Sequence, residues 1–162
     1  MIEEFCMWLR ETEMSIGIRE SLYLFPVLEG SHLLGLGLSA GLIGISDLRL
    51  AGVILRKYPV SAVFNTLLPY FTFGFLYMFV SGIFLFISEP MRCYDSWWFT
   101  IKMIFIVVAG LNASYYHLTI WMRRHEWDQM EIPPGAVRFA GWSSLIAWSL
   151  VIIAGRTMAY SF

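Results

Sequence analysis

Four long apolar stretches, separated by short polar segments, dominate the chain. They cover residues 21–46, 66–87, 98–121 and 139–160. Glu29 and His32 interrupt the first, Lys102 stands near the start of the third, and Arg156 marks the outer end of the fourth. A hydrocarbon layer about 30 Å thick takes about 20 residues of helix to cross. Each stretch therefore predicts a membrane-spanning helix, since soluble core helices are shorter and amphipathic. The fold class expected is all-α: a single transmembrane domain over residues 1–162, built as an integral membrane four-helix bundle. Ahead of the first span, Ile2, Phe5 and Leu9 recur at helical spacing beside Trp8. That spacing predicts a short interfacial helix over residues 2–14. Glu3, Glu4, Glu11, Glu13 and Glu20, followed by so long an apolar run, do not fit a cleavable signal peptide. Pro26 is expected to kink the outer end of the first span.

Composition points the same way. The chain is 58% hydrophobic and 14% charged, against about 45–50% and about 25% in a soluble domain. Mean hydropathy is +0.65. A disordered chain, a disulfide scaffold and a coiled coil are excluded. A net charge of −1 leaves no electrostatic footprint for nucleic acid. The partner in view is the lipid bilayer.

The charges suggest an orientation. The connections 47–65 and 123–138 carry Arg49, Arg56, Lys57, Arg123, Arg124 and Arg138 on one side. Arg10, Arg19, Arg92, Lys102 and Arg156 fall on the other. Arg56-Lys57 and Arg123-Arg124 adjoin helix ends, where such charge counts most. Both basic loops are therefore expected in the cytoplasm and both termini in the periplasm. Tyr94, Trp97 and Trp98 mark the outer water boundary, and Tyr58, Trp121, Trp127 and Trp142 the inner one. Cys6 and Cys93 share the outer, oxidising side, as a disulfide or as two unpaired thiols.

Ionisable groups at membrane depth are costly and point to function. Glu29 and His32, three residues apart, share a helix face that continues through Gly35, Leu36, Ser39, Ile43, Ser46 and Asp47. Gly30, Gly37, Gly41 and Gly44 make a second, small stripe beside it, suited to close helix approach. A Glu29–Arg156 pair, with Asn112 and Lys102, is the expected structural polar core. Lys102 can snorkel toward Glu89 or Asp95, and Asn112 can bond a neighbouring helix. His125, beside Glu126 and Asp128, reads as a solvated loop residue.

His32 and His117, on different helices, are candidate axial ligands of haem b or ligands of copper. Helix rise separates them by about 12–14 Å in depth, which argues against one shared haem. Met78 matches His32 in depth and offers a soft thioether to haem or Cu(I), or simply adaptable packing. No Gly-rich phosphate loop, nucleophile elbow, HExxH or paired CxxC is present, so no catalytic residue is assigned.

Certain segments resemble a known group. Glu29-Gly-Ser-His-Leu-Leu-Gly35 and Ser46-Asp-Leu-Arg-Leu-Ala-Gly52 look like the opening of a family of small bacterial inner-membrane proteins of unknown function. Phe99-Thr-Ile-Lys-Met103, Ala109-Gly-Leu-Asn-Ala113 with His117, and Ser144-Leu-Ile-Ala-Trp148 running to Ala154-Gly-Arg156 resemble its later helices. A more distant similarity reaches copper-resistance-D-type proteins and cytochromes b. The resemblance implies a four-helix fold in a bacterial inner membrane and suggests a redox or metal role. Two bis-histidine haems are ruled out, since only His32 and His117 are available at depth.

The leading expectation is a non-catalytic inner-membrane subunit or accessory protein. It would be oligomeric or join other membrane or periplasmic subunits in a redox or metal-handling assembly. The alternative is a cytochrome-b-like carrier with one haem, or a copper site, on His32. A third is a small ion or proton transporter along Glu29, His32, Ser39 and Asp47, for which four helices without repeats are a thin scaffold.

Overall fold

The computed structural model describes residues 1–160. Thr12 breaks the N-terminal segment. Its hydroxyl donates to Leu9 O at 2.7 Å and accepts from Ser15 N at 3.3 Å, so it ends one helix and caps the next. Two short helices result, α1 (Ile2–Arg10) and α2 (Glu13–Arg19), in place of the single one expected. α1 packs on α5 (Pro90–Asp95), the short connection between the second and third spans that Pro90 initiates. α2 packs on the neighbouring ends of the first two spans, and Ser15, fully buried, donates to Ser88 O at 3.4 Å. Ile2, Phe5 and Trp8 face outward, as an interfacial helix requires.

The four spans are longer at the basic-loop end than their apolar runs suggested. They are α3 (Leu24–Leu50), α4 (Val60–Ser88), α6 (Trp97–Tyr115) and α7 (Gly135–Tyr160). α6 continues through a π turn (Tyr116–Ile120) and a 3-10 turn (Trp121–Glu126). All four are long and apolar enough to cross a bilayer, so the chain is a multi-pass membrane protein. Pro26 stands in the first turn of α3, where its missing N–H has no intrahelical acceptor. It opens the helix there and does not bend its interior, contrary to expectation.

The end of α3 is set by Gly52. Val53 N donates to Leu48 O at 2.9 Å and Gly52 N to Arg49 O at 3.0 Å, with Gly52 at φ +73°. That is a Schellman stop, and the left-handed position it needs is where glycine has no penalty. Asp47 and Arg49 thus belong to the helix, not to a loop, and the first basic connection shrinks to 51–59.

α3 and α4 form one antiparallel hairpin and α6 and α7 another, and α3 joins them by packing on α7. The fourth side, between α4 and α6, is closed by rings at its ends. Phe64 lies 5.4 Å from His117 and 5.2 Å from Trp121, and Phe86 stacks on Phe99 at 5.8 Å. Trp127, expected at the water boundary, is instead buried with Leu50, Val60, Tyr116, Ile120, Val137 and Ala140. Outward faces are apolar and meet lipid, among them Phe73, Phe79, Val107 and Leu111.

The α3–α4 seam depends on small residues. A Cβ at Gly74 would lie 3.1 Å from Ser39 N and 3.3 Å from Gly35 O, and one at Gly35 2.9 Å from Tyr77 Cδ1. Around Gly37 nothing lies within 4 Å. Gly74→Leu should therefore cost about 1–3 kcal/mol or more. Gly37→Ala should leave the monomer unchanged or more stable by about 0.5–1 kcal/mol. Unfolding of the two variants in mild detergent checks the contrast.

Candidate functional site

The polar face of α3 meets α4 in the half of the bundle nearer the chain termini. His32 Nδ1 lies 2.9 Å from Ser81 Oγ. Ser81 Oγ is also 2.8 Å from Tyr77 O, and its single proton goes to that carbonyl. The imidazole then donates from Nδ1, and Met78 O lies alongside as a further acceptor. This tautomer is assigned from the hydrogen-bond network. It leaves the Nε2 lone pair uncommitted. Gly82 makes room for the ring: a Cβ there would stand 3.3 Å from its Cε1. Two turns further along α3, Ser39 Oγ reaches Met78 Sδ at 4.0 Å and donates to Gly35 O at 2.8 Å. The Met78 backbone is thus beside His32, while its sulfur lies against Ser39.

Lys102 joins the same region from α6. Its stem runs beside Gly155 of α7, at 3.8 Å from a Cβ built there. Its charge acts on His32 and on Cys93. Among the described residues no ion pair links it to Glu89 or Asp95, so it turns inward where an outward snorkel was expected. Nor does an ion pair join Glu29 to Arg156 among the described residues. Arg156 donates to the Tyr160 hydroxyl at 2.8 Å and lies over its ring at 5.3 Å.

His117 is elsewhere. It sits in the π turn among Phe64, Tyr116 and Trp121, at ring-centroid distances of 5.4, 5.3 and 6.2 Å. Its level on α4 is Phe64, whereas that of His32 is Ser81. At 1.5 Å per residue this is a separation of about 25 Å, roughly twice the sequence expectation. The two histidines of one chain do not share a haem. Asn112 bridges helices as expected, donating to Ala140 O at 3.0 Å and accepting from Ser143 Oγ at 2.8 Å. His125 is exposed, 3.7 Å from the Glu126 carboxylate. No group of three or more His, Cys, Asp or Glu side chains placed to hold a metal occurs among the described residues.

Cys6 and Cys93 are both free and both buried, where α1 meets α5. Burial pushes the Cys93 thiol up to about 11, so almost no thiolate is present at neutral pH.

The basic-loop end holds what the sequence reading passed over. Arg49 is wholly buried and has no carboxylate in contact. Its Nε donates to Tyr58 O at 2.9 Å and its Nη2 to Met130 O at 2.8 Å, with Arg56 O and Glu131 O each at 3.5 Å. One guanidinium therefore ties both basic loops to the end of α3. Asp128, in the second loop, caps α4. Its carboxylate accepts from Ser61 N and Ser61 Oγ, both at 2.6 Å, and its carbonyl from Val60 N at 3.0 Å. The carboxylate suits the positive end of a long helix, and its charge also favours Arg49 at longer range.

The chain belongs to the family described as "Family of unknown function (DUF6644)", whose model matches residues 22–161. No curated protein and no solved structure matches the chain.

Two outcomes follow from this geometry. A maleimide should label Cys6 and Cys93 only after denaturation; labelling of the folded protein would show the α1–α5 contact to be open. Arg49→Lys keeps the charge but loses the planar fork. It should cost about 2–4 kcal/mol, because carbonyls of two loops are left without a donor. Denaturant titration in mild detergent reads this directly.

Proposed function

We propose that this chain is a non-catalytic subunit or accessory protein of a bacterial inner-membrane assembly that handles electrons or metal ions, with both termini periplasmic. The observation that supports a subunit role is the second glycine stripe of α3. Around Gly30, Gly37 and Gly41, apart from the helix's own backbone and adjoining residues, nothing among the described residues lies within 4 Å of an added Cβ. Small residues repeating on an outward helix face let another transmembrane helix approach closely. That partner is a second copy or a different membrane subunit. Purification from native membranes in mild detergent tests the reading. An oligomer or a co-purifying protein is expected, and Gly37→Leu should release it while leaving the monomer's stability intact. A lone monomer in the wild type would sink the subunit role.

His32 supports a second reading, a carrier with one haem or a copper ion. Its Nδ1 is oriented by Ser81, leaving Nε2 free, and Met78 stands beside it. An outer hydrogen bond that fixes the ring is how ligating histidines are commonly held. The nearby Lys102 charge opposes a bare cation and is compatible with a cofactor bearing anionic groups. A Soret band, or bound copper, that is lost in His32→Ala would support this reading. A colourless, metal-free wild-type preparation rejects it.

A further inference from the structure

Asp47 is 6% exposed, and its Oδ2 has no hydrogen-bond partner. Tyr116, at the start of the π turn, is 4% exposed, and its hydroxyl is likewise unpartnered. The two act on each other electrostatically, and Ser144 of α7 also acts on the Asp47 carboxyl. Three elements therefore bring a buried carboxyl, a buried phenol and a half-buried hydroxyl within electrostatic reach of one another. The backbones are close here: a Cβ at Gly141 would stand 2.7 Å from Asp47 O.

Among the described residues no cation forms an ion pair with this carboxyl. Arg49, two residues on, spends its donors on the loop carbonyls. His117 turns to Phe64 and Trp121. Arg138, one turn before Gly141, is exposed. The other acid near Tyr116 is Asp128, whose carboxylate is bound to Ser61. Asn112, one turn before Tyr116, and Ser143, next to Ser144, satisfy each other. An isolated carboxylate buried in this way is strongly disfavoured.

We propose that Asp47, Tyr116 and Ser144 form an internal site that takes up one monovalent positive charge, carried by a sodium ion or by a proton. Carboxylate, phenol and hydroxyl oxygens are hard ligands suited to sodium. The same carboxyl can instead hold a proton, with Tyr116 and Ser144 as hydrogen-bond partners. The site is independent of both functional readings above, since it lies at the opposite end of α3 from His32 and on a different face from the open glycines.

Thermal unfolding of the full chain in mild detergent tests it, in sodium chloride and in choline chloride of equal ionic strength, over a range of pH. If sodium is the carrier, it raises the melting temperature at fixed pH, and Tyr116→Phe raises the half-saturating sodium concentration about tenfold, the loss of one ligand. If the carrier is a proton, stability in choline falls as pH rises, because the folded state then binds more protons than the unfolded one. An infrared band of a neutral carboxylic acid accompanies it. Asp47→Asn abolishes whichever behaviour is seen. Should Asp47→Asn not fold, Ser144→Ala serves: it weakens the sodium response or shifts the acid band. A wild type with neither a sodium response nor an acid band overturns the proposal and leaves a site filled by water. Responses that persist in Asp47→Asn, or that Ser144→Ala does not move, overturn it too.

Discussion

The basic-loop end of the bundle depends on one buried guanidinium. Chain leaving a helix near the bilayer exposes carbonyls that lipid cannot satisfy, and loops at that depth need an internal donor. Arg49 supplies it to two loops at once, from a side chain with no exposed surface. Arginine suits the task, since five donors in a fixed plane reach carbonyls that a lysine ammonium would meet one at a time. Gly52 stops α3 just beyond, and Asp128 fixes the start of α4 from the opposite loop. Together they set where α3 ends and α4 begins.

That end was the least legible part of the sequence. The four spans were plain from their apolar runs, because the bilayer imposes a length that soluble helices seldom reach. Their boundaries were not, since charged residues next to an apolar run read as loop. Asp47 and Arg49 were assigned to the connection for that reason, although Gly52 was the local signal of a later stop. Nothing local could reveal the partners of Arg49, which lie 81 and 82 residues away. Thr12 was also readable as a helix start, with its hydroxyl ready to cap.

The candidate polar groups divided in the same way. The shared face of His32, Gly35 and Ser39 followed from helical period alone and is the α3–α4 seam. Asn112 found a neighbouring helix, as a buried amide must. The depth of His117 differs from the value helix rise gives because the spans run further at the basic-loop end than their apolar stretches, which moves their centres away from His32. Lys102 and Arg156 were given carboxylate partners by rule. Lys102 instead lies along α7, and Arg156 bonds the Tyr160 hydroxyl one turn on.

The reach of Arg49 also bears on how the chain is assembled. Membrane helices insert as hairpins emerge, and α3 with α4 is the first complete hairpin. At that moment the guanidinium has only Tyr58 O and Arg56 O to bond. Met130 O and Glu131 O arrive with the loop that precedes α7. A chain truncated before that loop would hold a half-satisfied charge at the membrane edge, distinguishable from the finished protein by any machinery that surveys membrane depth for exposed polarity. One side chain thus finds all its acceptors only when both hairpins are present.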